Sequence, residues 1–350
     1  MKKTLVIGSA VADVIINLDH LPSRSEDVHV LEQKISLGGC AFNVSESIHH
    51  FGVPYIPFFP VGTGIYGDFI RKELAIKDVH SPIPSPQADN GCCYCFIEED
   101  GERTFVSYHG AEYLFDPAWF DLLNPAEIER VYICGLEIEE STGIHIVEYL
   151  EKHPEYQIFF APGPRLTKID QTLAERIFAL HPILHLNEDE ALRYMTYRKT
   201  GMESSIPASD YTLENVTLAA AWLYEETSRP VIITWGKKGA YYYSADQPSS
   251  DQHAAIRPSA KDSHMEAASV DSLIPSAGMH HVPGVPAKAI DTNGAGDSHI
   301  GAVIACLQMG HSLEESIAIA NRVSAKVVET KGAILSKEQF GQIFSSESVF

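Results

Sequence analysis

The chain has 350 residues, of which 45% are hydrophobic and 21% charged, and its formal net charge is −21. Length and balance are those of a globular protein with a sizeable core, not of a disordered or fibrous chain. So acidic a surface repels phosphate backbones, which argues against nucleic acid as a partner, although a local pocket of amides can still hold a small phosphate compound.

The chain opens with Met-Lys-Lys and an apolar stretch ending Ala-Val-Ala, an imitation of a short signal peptide. Its apolar pattern runs on through Val14, Ile15 and Ile16, so a cytoplasmic enzyme is expected instead. No apolar run is long enough to span a membrane. Six cysteines, three of them in Cys92-Cys93-Tyr94-Cys95, lack paired zinc-ligand spacing and are expected to pack as small apolar residues in a reducing compartment.

In chain order, Leu5–Gly8 is a β-branched run ending at a turn. Asp13–Leu37 looks like antiparallel strand material. Cys40–Phe51 carries a helical pattern stopped by Gly52. Gly91–Gly110 again alternates, around the hairpin signal Glu99-Asp100-Gly101-Glu102. Val131–Leu136, Gln157–Ala161, Ile183–Leu186 and Val231–Thr234 are short apolar strands, each followed by a polar turn, and most then by a helical pattern. Tyr241–Tyr243 and His281-Val282 should form a hairpin, interrupted by a Ser/Ala/Asp/Pro-rich insert over 245–279 that is expected to be disordered. A helix is predicted over Ser298–Met309, and the capping box Ser312-Leu-Glu-Glu315 opens another to about Glu329. Strands alternating with helices predict a parallel sheet covered on both faces, with ligands beyond the strand carboxyl ends. The two alternating regions, 13–37 and 91–110, could form a small separate sheet acting as a lid.

Asp291-Thr-Asn-Gly-Ala-Gly-Asp297 is the most informative stretch. Gly294, Ala295 and Gly296 allow a tight turn with its N–H groups aimed outward, and the following helix adds its positive end. An anion hole beside Asp297 suits transfer of a phosphoryl group to a hydroxyl that loses its proton to that carboxylate. Gly38-Gly39-Cys-Ala-Phe-Asn43 is a second constellation, two glycines before a helix with an amide in its first turn, and Asp13 could accept bonds from a polyol. The sequence lacks a P-loop, a protein-kinase catalytic loop and His-Glu-x-x-His. Gly62-Thr-Gly-Ile-Tyr-Gly67 matches the dinucleotide fingerprint, with Asp89 downstream, but Pro54, Pro57 and Pro60 in the preceding run are poor for a buried central strand.

Asp291–Asp297 resembles the Asp-Thr-x-Gly-Ala-Gly-Asp signature of the ribokinase or PfkB carbohydrate kinases, and Gly38–Asn43 resembles that family's Gly-Gly-x-x-x-Asn. The resemblance runs from Gly8 to about Ser336. It implies a single ribokinase-like domain over 1–350, an αβα sandwich with a mostly parallel central sheet and a small β-lid. It implies Asp297 as base, Gly294, Ala295 and Gly296 as anion hole, and Asp13, Gly38, Gly39, Asn43, Glu137 and Arg103 on the sugar. Asn187, Thr234, Gly236, Gly239 and Asn321 would meet ATP. Glu190 would act on Mg²⁺ through water, and Asp291 on a monovalent cation such as K⁺. A homodimer through the lid is a further implication. Departures stand at Asn293, where Thr or Ser is usual, at Ser298-His299, where a small-aromatic pair is usual, and at Ala161, where Asp or Asn is common. Rival expectations are a nucleoside kinase of the same fold, its base stacked on Tyr94, Phe96, Phe105 or Tyr108, a non-catalytic sensor on that scaffold, and a hydride-transfer enzyme resting on Gly62–Gly67.

Overall fold

The computed structural model describes residues 1–99, 102–245 and 278–344. Its strands are β1 (Lys3–Ile7), β2 (Val11–Asn17), β3 (Glu32–Gly38), β4 (Tyr55–Phe58), β5 (Cys92–Ile97), β6 (Arg103–Tyr108), β7 (Ile128–Cys134), β8 (Gln157–Ala161), β9 (Ile183–Asn187), β10 (Val231–Thr234), β11 (Gly239–Tyr243) and β12 (Met279–Pro283). The helices are α1 (Cys40–His50), α2 (Gly64–Ile76), α3 (Gly135–Glu139), α4 (Gly143–Glu151), α5 (Gln171–Phe178), α6 (Glu188–Thr200), α7 (Leu213–Thr227), α8 (Ala295–Met309), α9 (Leu313–Val328) and α10 (Lys337–Phe344).

Eight strands form one sheet in the order β12-β11-β10-β9-β8-β7-β1-β4. It is parallel from β4 to β10, and β11 and β12 close one edge as an antiparallel hairpin. Strand period sorts each apolar run between two cores. Val6, Tyr132, Phe159 and Ile232 face α1, α8 and α9, while Leu5, Ile7, Val131, Ile133, Phe160 and Ile233 face α4 to α7. Pro57 lies in β4, an edge strand, where a missing N–H is tolerated.

The smaller sheet has the order β3-β2-β5-β6 and holds both segments expected in a lid. Its pairing corrects the antiparallel expectation at one position: β2 and β5 run parallel. Between them the chain passes through β3, α1, β4 and α2, a crossover long enough to bring β5 back in the same direction. The register puts Asp13, Cys93, Cys95, Phe105 and Ser107 on one face, and Val14, Tyr94, Val106 and Ile35 on the other. Asp100 and Gly101 of the predicted turn, and nearly all of the 245–279 insert, lie outside the described residues.

A buried polar chain ties the sheet to α8 and α9. His185 interrupts the apolar run of β9, and its Nε2 lies 2.9 Å from His299 Nδ1. His299 Nε2 is 3.2 Å from Asn321 Oδ1, while Asn321 Nδ2 donates to the carbonyls of Val282 and Pro283. Because the Asn321 amide donates to β12, its oxygen must accept, so His299 carries its proton on Nε2 and His185 donates to Nδ1. Burial keeps both rings neutral: His299 is pushed down to about 4, and His185 lies well below its ordinary value. His299→Phe would strand the His185 donor and the Asn321 oxygen. A loss of about 1–3 kcal/mol is expected, read from urea melts, and an unshifted midpoint would show the chain to be energetically idle.

Candidate active site

Parallel strands deliver the candidate residues to one edge of the sheet. Glu137 follows β7, Asn187 and Thr234 end β9 and β10, and Asp13 lies in β2, which the chain enters shortly after β1. The turn into α1 is built by close approach. Gly39 has φ 99°, and a Cβ there would lie 2.6 Å from the Ser9 carbonyl oxygen. A Cβ at Gly38 would overlap the Asp13 carboxylate. Only glycine permits both, so Gly38-Gly39 lets Asp13 and the first turn of α1 share the same small volume.

That first turn presents Asn43, which is buried, and its Nδ2 donates to Asp297 Oδ2 at 2.8 Å. Asn43 Oδ1 has no partner among the described residues. Asp297 lies in the first turn of α8, which begins at Ala295, three residues before the predicted start. Gly294 caps that helix at φ 72°, where a Cβ would lie 2.5 Å from the Ala333 carbonyl oxygen. Ser298 N–H closes the first turn on the Gly294 carbonyl, whereas the N–H groups of Gly296 and Asp297 have no acceptor among the described residues. Gly296 is exposed and its α-carbon opens on free space. Unpaired amides, a helix N-terminus and open space together could receive an anion.

Carboxyl groups gather around it. Burial raises Asp297 to about 6, against hydrogen bonds from Asn43 and the Cys40 thiol that favour its charged form. Burial, then the Asp297 charge, push Asp13 up to about 7. Glu137 is raised chiefly by burial; Cys134 Sγ donates to its Oε2 at 2.6 Å, and its Oε1 is unpartnered among the described residues. Glu137 sits in the short helix α3 rather than at a strand end, because β7 stops at Cys134. Glu190 rises to about 7, mainly through burial. Two unfilled acceptors, Asn43 Oδ1 and Glu137 Oε1, thus belong to residues expected to hold a polyol.

The remaining expected residues divide. Asn187 and Glu190 form a reciprocal capping box on α6: Asn187 Oδ1 accepts from Glu190 N at 2.8 Å and Glu190 Oε2 from Asn187 N at 2.9 Å. Thr234 pairs in register with Asn187, and the turn beyond it holds Gly236 at φ 45° and Gly239 at φ 96°. Lys238 lies over the Trp235 ring, its Nζ 3.2 Å from the centroid. Asn321 has its amide committed to β12 and His299 rather than turned to open space. Arg103 is placed on Asp291: its Nη1 is 2.6 Å from Asp291 Oδ1. That carboxylate also accepts from the N–H groups of Asn293 at 2.8 Å and Gly332 at 3.0 Å. The Asp291 carboxylate, where a monovalent cation is expected, thus accepts three protein donors on its two oxygens.

Sequence reasoning missed Cys40 and Cys134, read there as apolar packing. The only signal was the position of Cys40 inside the Gly-Gly turn. Gly62–Gly67 offers little to a dinucleotide, since Gly62 N donates to Asn90 Oδ1, Arg71 binds the Gly62 carbonyl, and Thr63 Oγ1 donates to Asp89 at 2.7 Å. Among the described residues, no helix is long and apolar enough to cross a membrane.

The family model described as pfkB family carbohydrate kinase matches residues 1–263 and 266–339. An uncharacterised sugar kinase of Escherichia coli, YegV, is 30% identical over 333 residues, covering 95% of this chain and 90% of its own. The fold is similar to the crystal structure of ribokinase from Thermotoga maritima, with TM-score 0.73, 18% identity and coverage of 99% and 100% of the two chains. It is also similar to Arabidopsis thaliana ribokinase complexed with ribose and ATP, with TM-score 0.70, 17% identity and 98% of each chain covered. With nearly its whole length matched and the site assembled as described, the chain belongs to the pfkB family of carbohydrate kinases.

Proposed function

We propose that this kinase moves the γ-phosphoryl group of ATP onto a hydroxyl of a small sugar or sugar-like polyol in the cytoplasm, as a single catalytic domain. The observation that carries the reading is the Asn43–Asp297 hydrogen bond at the N-terminus of α8. It holds a carboxylate beside free amides, a base next to an anion hole. Asp13, Asn43 and Glu137 bind the polyol, with Gly38 and Gly39 giving it room. Asp297 takes the proton of the attacking hydroxyl, and the amides of Gly294 to Asp297 stabilise charge on the transferring group. Thr234, Gly236 and Gly239 contact the nucleotide, Asn187 orders its edge of the site, and Asn321 shapes the nucleotide side through its bonds to the end of β12. The half-buried Glu190 carboxylate would act through water on a Mg²⁺ held mainly by ATP, and that metal would neutralise phosphate charge. A non-catalytic sensor would have no use for the base.

Of the four lid aromatics that could stack on a nucleoside base, the register puts only Phe105 on the Asp13 face, where it is exposed. One aromatic suits the apolar face of a sugar ring better than it sandwiches a base. On the opposite face Ile35, Val106 and Tyr108 are exposed, which supports pairing of two lids in a homodimer. Sedimentation of Val106→Asp beside the parent should then show a monomer against a dimer; equal mass for both removes the lid as the interface.

ADP release should be assayed across pentoses, hexoses, ketoses and nucleosides. With the best acceptor, Asp297→Asn should lower turnover by roughly 10²–10⁴; near-parental turnover in the folded variant would falsify the base assignment. The kcat/KM profile should fall on the acid side near pH 6, where Asp297 protonates, and substrate binding should weaken below about pH 7 as Asp13 protonates. A flat profile down to pH 5 counts against both assignments.

Stability has the opposite sign. The folded value of Asp297, about 6, exceeds the ordinary 3.8, so the ionised group destabilises the fold. That cost is complete above pH 6 and gone below about 3.8. Asp297→Asn should therefore raise Tm at pH 8, with a gain that shrinks as pH falls toward 4. A lower Tm at pH 8 would contradict a desolvated base.

A further inference from the structure

We propose that Arg103 is a positioning residue: its guanidinium carries from the lid the positive charge that Asp291 needs, so that lid closure itself completes the loop forming the anion hole, without a monovalent cation. The proposal rests on the reading of residues 294–297 as that hole.

Arg103 begins β6, paired with Ile97 of β5, and the two-residue period sets it on the same lid face as Asp13 and Phe105. From there it crosses to a residue 188 positions away in the chain. Both side chains are largely shielded, 23% exposed for Arg103 and 14% for Asp291. Screening by water is therefore weaker than for the surface pairs of this protein.

Asp291 is the joint between two loops. Its Oδ1 accepts from Arg103 and from Asn293 N–H, one residue before Gly294. Its Oδ2 accepts from Gly332 N–H. The same two loops meet again where Gly294 packs on Ala333, a contact with no room for a Cβ. Any shift of the Asp291 carboxylate is thereby transmitted to Gly294, the residue that sets the direction of the first amides of α8.

An open lid removes the guanidinium and leaves a shielded carboxylate holding only two amide donors. Such a carboxylate is costly without its partner, so the loops are held in their closed arrangement only when the lid is down. Substrate bound under Asp13 favours closure, and closure then orders the amides that receive the phosphoryl group. Transfer is in this way tied to the presence of an acceptor. The lid is also tethered from its other face, where the Tyr94 and Tyr66 hydroxyls lie 3.0 Å apart, but that contact reaches α2 and not the anion hole.

The test uses the full chain with Mg²⁺-ATP and the best acceptor, at constant ionic strength. KCl is titrated against tetramethylammonium chloride. The parent should turn over equally at every ratio, and K⁺ should leave its Tm unchanged. Arg103→Gln should lose turnover on the order of 10- to 100-fold, the scale of a misplaced reacting group, with a smaller change in KM. K⁺, as a replacement cation, should recover part of that loss, and Arg103→Lys should retain most of the activity. Hydrogen exchange in Arg103→Gln should quicken both in β6 and at residues 292–296. A parent that requires K⁺, or an Arg103→Gln protein with parental turnover in tetramethylammonium, overturns the proposal. So does faster exchange confined to β6. Should no acceptor be phosphorylated by the parent, the proposed function fails, and exchange at 292–296 still decides the coupling.

Discussion

One hydrogen bond joins the two helices that carry the candidate site. Asn43 stands in the first turn of α1 and Asp297 in the first turn of α8, separated by 254 residues, and they meet at 2.8 Å. The contact is feasible because α1 and α8 pack side by side on one face of the sheet: Gly301 has no room for a Cβ beside Ser47, and Ser47 Oγ donates to the Ser298 carbonyl at 2.9 Å. Two helix N-termini then converge on one carboxylate. Hydrogen bonds from the Asn43 amide and the Cys40 thiol favour ionised Asp297 where burial opposes it, and the helix ends add partial positive charge.

The surrounding architecture serves that arrangement. Parallel strands end together, so Glu137, Asn187 and Thr234 arrive at one edge from distant parts of the sequence, and β2 of the smaller sheet brings Asp13 against Gly38. Crowding carboxyl groups there is unfavourable for folding, since Asp13, Glu137, Glu190 and Asp297 are all raised by burial. The two apolar cores on either side of the sheet offset it. The neutral chain His185–His299–Asn321 acts in the same direction, linking α8 to β9 and, through Asn321 of α9, to β12 without adding charge.

Capping signals held because the bonds that make them span only a few residues. Ser312 and Glu315 cap α9 through bonds spanning three residues, and Asn187 and Glu190 do the same for α6. Apolar runs became β1, β7, β8, β9 and β10 because both sheet faces are covered. The start of α8 was misplaced by three residues because Ala295-Gly-Asp reads as turn in isolation, while Ser298 N–H reaching the Gly294 carbonyl makes it helix. The parallel β2–β5 pair was invisible for a related reason: strand direction depends on the path between the strands, not on their composition.

The amino-acid order alone determined the family, the strand-and-helix rhythm and the glycine turns at Gly38-Gly39 and Gly294. Each follows from neighbours in the chain, where excluded volume at Cα and hydrogen bonds across a few residues act. Tertiary structure decided which side chains finally touch. It placed Arg103 on Asp291, joined His185 through His299 to Asn321, and brought Cys134 to Glu137. Those contacts depend on sheet register and helix packing between segments far apart in the chain, and such register is written nowhere in the residues on either side.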